Sequence, residues 1–207
     1  MSQDTKCLVV AGPSGVGKST LIKQALDQNN NWRFSVSATT RPKRDGEVDG
    51  REYYFLSRNE FETRIATGGM LEYAEVYGNL YGTPASEIDR AAADKLNLLI
   101  EVDTVGCLTI RALRPTFPLV AILPPSLHEL KRRLRDRGTE TEESLKLRFA
   151  NIVAELQRMR GFDYAVVNDQ LEIACKQLLA IMHITERGLL EVTPQVDRLL
   201  QQPEVRQ

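Results

Sequence analysis

The run Gly12-Pro13-Ser14-Gly15-Val16-Gly17-Lys18-Ser19-Thr20 constrains this chain more than any other stretch. It follows the apolar residues Cys7 to Ala11 and leads into a segment whose Leu21, Ile22, Ala25 and Leu26 share one side of a helix. A short apolar run suits a buried parallel strand, so the segment reads as strand, loop, helix. Between strand and helix the pattern G-x-x-x-x-G-K-[ST] is complete. Its glycines let backbone N–H groups converge on phosphate oxygens, and the helix N-terminus adds partial positive charge. Lys18 then reaches the outer phosphates, and the Ser19 hydroxyl suits Mg²⁺. The expectation is a nucleoside-triphosphate site on an α/β fold, against the bland alternative of a glycine-rich turn.

A chain of 207 residues suits one α/β domain with small insertions, large enough to bury a substantial core. Lys+Arg 27 against Asp+Glu 28 gives a net charge of −1, so no nucleic-acid or membrane partner is expected and anion binding must be local. Cys7, Cys107 and Cys175 are far apart and form no C-x-x-C pair, which argues against a disulfide framework and structural zinc and for buried thiols. The polar stretch from Met1 to Lys6 runs directly into the first strand, with no signal-peptide pattern. No apolar stretch approaches the roughly 18 residues needed to span a bilayer, and a cytoplasmic location is expected.

Further along, Phe34 to Ser37 alternates like a short strand, and a polar stretch with Arg41 and Arg44 beside Pro42 and two glycines follows. Such a stretch is either a solvated loop or a bidentate grip on a second phosphate, and the phosphate loop upstream favours the grip. Ser57 to Glu60 has capping-box spacing, with Phe61 and Ile65 on the following helical face. Met70 to Val76 reads as a strand, Tyr77-Gly78-Asn79 as a turn, and Pro84 as the start of a helix over 85–93. Residues 38–93 therefore form a small inserted lobe.

The main sheet resumes with Leu96 to Asp103, where Glu101 and Asp103, two apart on a strand, point the same way at the ligand-binding end. A helix over 106–114 and a strand over 119–123 follow. Ser126 to Glu129 is a second capping box, opening a helix with Leu127, Leu130 and Leu134 inward and Lys131, Arg132, Arg133, Arg135 and Arg137 around them. That basic run is a solvated face, a nucleic-acid patch, or a set of arginines aimed at a transferring phosphoryl group. The polar hinge from Gly138 to Glu143 and a helix from Ser144 to Met159 carrying Arg148 favour the last, as a mobile lid. Tyr164 to Asn168 reads as a strand, and Leu171 to Arg187 as a helix with Ile173, Ala174, Leu178 and Ile181 apolar. Residues 188–207 allow a short amphipathic helix that docks or pairs subunits, which leaves oligomeric state open between monomer and homo-oligomer. His128 and His183 receive no role.

Taken together, Ser35-Val-Ser-Ala-Thr-Thr-Arg41, Gly46-Glu-Val-Asp-Gly50 with Tyr53 and Phe55, Glu72, Gly78 to Thr83, Pro124-Pro-Ser126, Arg137 to Glu143 and Val167-Asn-Asp169 resemble the guanylate kinases. The resemblance implies a P-loop NTPase-type parallel sheet flanked by helices, with an inserted nucleoside-monophosphate lobe and a lid. It divides the single domain into a core of 5–37, 94–136 and 156–187, a GMP-binding lobe of 38–93, a lid of 137–155 and a tail of 188–207. It also implies ATP:GMP phosphotransfer with Mg²⁺, with dGMP as a further acceptor. Carried over by position, Arg41, Arg44, Tyr53 and Tyr81 bind the GMP phosphate, while Ser37, Glu72, Thr83 and Asp103 hold guanine. Residues 12–20 hold the ATP phosphates, Glu101 lies near Mg²⁺, Arg133, Arg137 and Arg148 cover the phosphates, and Asn168 lies by the adenine. Lys18, Arg44, Arg137 and Arg148 are the implied catalytic cations. Val105 stands where the family commonly has Gln, Glu101 where it has Asp, Lys43 where it has Pro, and Gln170 where it has Asp. Two rivals remain: a kinase of this fold for another phosphorylated acceptor such as ribose 1,5-bisphosphate, and a non-catalytic guanylate kinase-like binding module. The base-reading set opposes the first and the intact Gly12, Gly17, Lys18 and Ser19 oppose the second.

Overall fold

Strand β1 (Cys7–Ala11) is buried along its whole length, with its alternate residues facing opposite ways. Leu8 and Val10 join one apolar cluster, and Cys7, Val9 and Ala11 join another on the far side. Only a strand covered on both faces has this pattern, and β1 is the centre of a sheet in the order β2-β7-β1-β8-β9, all pairs parallel. The computed structural model describes residues 5–136 and 142–187, and for 142–148 and 150 the backbone alone.

In chain order the elements after β1 are α1 (Lys18–Asp27), β2 (Trp32–Phe34), β3 (Ala38–Thr39), β4 (Tyr54–Phe55), α2 (Arg58–Ala66), β5 (Met70–Val76) and β6 (Asn79–Pro84). Then come α3 (Ser86–Ala93), β7 (Asn97–Glu101), α4 (Thr104–Leu113), β8 (Leu119–Leu123), α5 (Leu127–Arg135), α6 (Glu142–Arg158), a 3-10 turn (Met159–Gly161), β9 (Tyr164–Val167) and α7 (Leu171–Arg187). Helices α1 and α7 pack on the Leu8 face through Leu21, Ile22, Ala25, Ala174, Leu178 and Met182. On the Val9 face, α3 and α4 contribute Ala91, Cys107 and Ile110. The three thiols are buried as expected, and burial pushes Cys7 up to about 12 against the lowering charge of Arg114.

A second sheet, β4-β3-β6-β5, stands apart on its own small core of Ala38, Phe61, Met70 and Leu80. Its β5–β6 hairpin turns at Tyr77 (φ 49°) and Gly78 (φ 78°), paired left-handed residues that suit a tight two-residue hairpin. Ser57 completes a full capping box with Glu60, as its spacing predicts. Ser126 caps α5 only one way, because the Glu129 carboxylate is turned to Arg132 and Arg133.

Several expectations shift. The strand expected over 34–37 lies at Trp32–Phe34, and Ser35 to Ser37 carry the chain across to the second sheet. Pro84 ends β6, paired with Met70, where its missing N–H costs the ladder little, and α3 starts two residues later. Asp103 is not on β7; its carboxylate accepts from Gly106 N at 2.7 Å and caps α4, so that helix begins at Thr104. Leu127 and Ile173 are 41% and 51% exposed, outside the apolar faces assigned to them. Arg137, residues 138–141 and the tail 188–207 lie outside the described residues. Among the described residues no helix is long and apolar enough to cross a membrane.

Phe61 is fully buried and is the largest side chain of the second sheet's core. Phe61→Ala is expected to cost about 3–5 kcal/mol of stability, and the shift of the urea midpoint against wild type measures it.

Candidate active site

The phosphate loop joins β1 to α1, and its shape is set by glycines and by one carboxamide. A Cβ on Gly12 would lie 2.5 Å from Ile122 O, and Gly15 and Gly17 take φ of 84° and 91°, so side chains are excluded at all three. Gly17 is the N-cap of α1 and no side chain caps that helix, which leaves its first turn to meet an anion. Asn168, at the end of β9 and only 6% exposed, donates Nδ2 to Val16 O at 2.8 Å and its backbone N to Leu123 O at 2.8 Å. Arg133 in turn donates to Asn168 O at 2.9 Å and to Glu129 at 2.8 Å. Glu129, held by Arg132 and Arg133, is pushed down to about 2. Ser14, Gly15, Gly17, Lys18, Ser19 and Thr20 thereby enclose a hollow of 160 Å³.

Lys18 folds back over its own loop, donating Nζ to Gly12 O at 2.6 Å and Pro13 O at 3.4 Å. Its Nζ lies 4.0 Å from Glu101 Oε1 at the end of β7. Both line a cleft of 490 Å³ that also receives Ser19, Ser37, Tyr53, Asp103 and, from α6, Glu155. A larger hollow of 780 Å³ by Lys6, Phe117 and Tyr164 sits at the opposite end of the sheet. Parallel sheets of this kind bind ligands at the carboxyl ends of their strands, which is where the 490 Å³ cleft lies.

Across the cleft, β5 and β6 pair Glu72 with Thr83, and Thr83 Oγ1 donates to Glu72 Oε1 at 2.7 Å. Burial raises the Glu72 pKa, the Thr83 bond opposes that, and the charge of Asp103 adds to the rise. Gly106 makes room for the group, since a Cβ there would lie 3.1 Å from Glu72 Oε2. In the lobe, the Arg41 guanidinium sits 5.6 Å from the Tyr53 ring centre and 5.7 Å from that of Phe55. It bonds Glu47 at 2.8 Å, and Glu47 also accepts from Arg44 N at 2.8 Å. The Tyr53 and Tyr81 rings meet edge to face at 6.1 Å.

Burial raises the pKa of Glu101 and of Glu155, and Lys18 lowers both; Asp103 raises Glu155 further. Sequence reasoning missed Glu155, Glu47 and Glu87. A helix-face charge pattern hides the first, and the other two sit among many carboxylates in polar stretches. The structure brings Ser37, Tyr53, Glu101 and Asp103 to one cleft with the loop, and places Glu72 with Thr83 and Arg41 with Tyr81 beside it. Arg133 and Asn168 also support the loop itself, through Asn168 O and Val16 O. The side chain of Arg148 lies outside the described residues.

A family model described as guanylate kinase matches residues 4–185. The chain belongs to the guanylate kinase family. The guanylate kinase of Lactiplantibacillus plantarum is 39% identical over 201 residues, covering 97% of this chain and 98% of that protein. That of Rubrobacter xylanophilus is 46% identical over 177 residues, covering 86% and 93%. A crystal structure of guanylate kinase from Anaplasma phagocytophilum superposes with a TM-score of 0.69 at 26% identity, covering 98% and 97% of the two chains. Guanylate kinases are nucleoside monophosphate kinases, and this chain is accordingly an enzyme on the P-loop NTPase fold. In this guanylate kinase family member the phosphate loop is thus shaped largely by backbone, with Asn168 as its brace.

Asn168→Ala removes the side-chain donor that bonds Val16 O. It is expected to weaken ATP binding by about 1–3 kcal/mol, the range for a buried acceptor left unpaired, and calorimetric titration with ATP measures it.

Proposed function

We propose that the chain transfers the γ-phosphoryl group of ATP to GMP, and to dGMP, with Mg²⁺, as a cytoplasmic enzyme without a nucleic-acid partner. The observation that supports this reading is the buried Glu72, held by Thr83 and close enough to feel the charge of Asp103, which lines the cleft. A carboxylate accepts from both the ring N–H and the amino group of guanine. Adenine lacks that donor pair and would leave Glu72 unpaired at a cost of several kcal/mol, which is the basis of selection.

In this reading the ATP phosphates lie on residues 12–20, and Lys18 exchanges its carbonyl partners for phosphate oxygens. Arg41, Arg44, Tyr53 and Tyr81 grip the GMP phosphate, while Ser37, Glu72, Thr83 and Asp103 hold the base. The lobe of 38–93 and a lid of 137–155 then close over the core. Arg133, Arg137 and Arg148 supply charge above the phosphates, with Asn168 beside the adenine as well as under the loop. Because the acceptor phosphate is largely ionised near neutral pH, no general base is needed. Positioning and charge stabilisation suffice, and no covalent enzyme intermediate forms.

Ser19 and Glu101 offer hard oxygen donors on one cleft wall, which fits Mg²⁺. Among the described residues no group of three or more His, Cys, Asp or Glu could hold a metal alone, as suits an ion that takes most of its ligands from phosphates and water. When bound, Mg²⁺ neutralises charge on the phosphate oxygens.

ADP release from ATP and Mg²⁺, with GMP, dGMP, AMP, UMP, CMP and ribose 1,5-bisphosphate each offered as acceptor, tests the reading. Turnover confined to GMP and dGMP is expected, and turnover on ribose 1,5-bisphosphate alone overturns it. Lys18→Ala should abolish turnover in a folded protein. Glu72→Gln should raise the KM for GMP by about 10- to 100-fold, the range for hydrogen bonds to a charged group, and leave that for ATP alone. The pH profile adds a check. A carboxyl with a raised pKa is fully charged only above that value and loses its charge as pH falls through it. GMP affinity should therefore fall on acidification before an ordinary carboxyl would titrate, and Glu72→Gln should remove that step.

A further inference from the structure

One buried carboxylate outside the cleft ties together the segments that join the second sheet to the core. Glu87, in the first turn of α3, is 0% exposed. Its Oε2 accepts from Val36 N at 2.7 Å, and its Oε1 accepts from Tyr54 OH and from Arg90, each at 2.8 Å. Arg90 also covers the Tyr54 ring at 5.6 Å. Val36 lies on the outgoing connection from β2 to β3, Tyr54 is in β4 of the second sheet, and α3 is the return path to β7.

The neighbours of these partners face the cleft. Ser37 follows Val36 and Tyr53 precedes Tyr54, and both line the 490 Å³ space, whereas Glu87 does not reach it. Ser37 O also accepts from Tyr54 N at 2.9 Å, so one partner of Glu87 is bonded through the backbone to the residue that follows the other. We propose that Glu87 is a positioning residue for the acceptor nucleotide, setting Ser37 and Tyr53 through Val36 N and Tyr54 OH. This rests on the assignment of Ser37 and Tyr53 to the acceptor site above.

The chemistry favours a carboxylate at this place. Three donors converge on two oxygens, and Arg33 adds a favourable charge against the burial that raises the Glu87 pKa. A carboxamide presents one oxygen and an NH₂ group, so it would face either Val36 N–H or the Arg90 guanidinium donor to donor. An apolar replacement would leave Val36 N–H and Tyr54 OH without this acceptor.

Steady-state KM for GMP and for ATP, with kcat and the melting temperature, should be measured for Tyr54→Phe, Glu87→Gln and Ser37→Ala. Tyr54→Phe keeps the ring under Arg90 and deletes one bond. It is expected to raise the GMP KM about three- to tenfold, the range for one lost hydrogen bond. The ATP KM should stay within about twofold, since uniform binding of the donor is untouched. Glu87→Gln should exceed that effect in the same direction. If the GMP KM is unmoved in Tyr54→Phe, or if the ATP KM rises in parallel with it, the proposal is overturned, whether or not Glu87→Gln folds. Ser37→Ala separates the two claims. If it raises the GMP KM while Tyr54→Phe does not, the acceptor-site assignment stands and the positioning role alone falls.

Discussion

The close approach of main chain to main chain around Gly12 is the constraint on which the rest depends. A loop that must aim several N–H groups at one anion has no room for side chains on its inner wall, and at Gly12 that wall is the carbonyl of Ile122 on the neighbouring strand β8. The loop can follow this path only if its other end is also fixed, and Asn168 fixes it by donating to Val16 O from the end of β9. Three adjacent strands, β1, β8 and β9, thus share the task of shaping the phosphate loop. The parallel sheet is the reason they can, because all three end on the same side.

Charge is arranged against stability in and beside the cleft. Glu72, Glu101 and Glu155 all have raised pKa values with burial as the leading cause. A carboxyl whose folded pKa is raised contributes most to stability below its unfolded value and loses that contribution as pH rises through the folded one. At neutral pH these groups therefore oppose folding. Glu129 has the opposite sign: held near 2 by Arg132 and Arg133, its contribution is present above the unfolded value and is lost as pH falls toward 2. Destabilising carboxylates gather where ligand donors and cations are proposed to arrive, and the stabilising one sits behind the loop. Glu101 and Glu155 share the cleft, and perturbed groups that do so mark functional sites.

Much of this was legible in the sequence because local chemistry decides it. The loop pattern, the full Ser57–Glu60 capping box, and the strands at Met70–Val76, Leu119–Leu123 and Tyr164–Val167 rest on residues within a few positions of one another. What was illegible depends on partners far away in sequence. Asp103 has both the spacing of a strand partner to Glu101 and the chemistry of an N-cap, and only the position of Gly106 N settles the choice. The support that Asn168 gives the loop joins it to Val16, 152 residues away, which no local pattern shows. Glu87 bonds Val36 and Tyr54, 51 and 33 residues away, so nothing in its own neighbourhood sets it apart from Asp89. Polar residues in helices read as solvated faces until a distant donor is found.

The two halves of the site are built from different materials, and the reaction explains the difference. Triphosphate is the same in every nucleotide, so a cradle of backbone N–H groups serves it, rigid and blind to the base. The acceptor must be told from its relatives, and that needs side chains whose polar atoms would be left unpaired by the wrong base. Side chains hold their aim only when their own backbone is fixed, and the lobe's sheet is small, with β3 and β4 of two residues each. So short a sheet cannot set the place of Ser37 and Tyr53 by ladder bonds alone. A buried carboxylate with three donors supplies from outside the cleft the rigidity that the strands lack, without occupying any of the space the nucleotide needs.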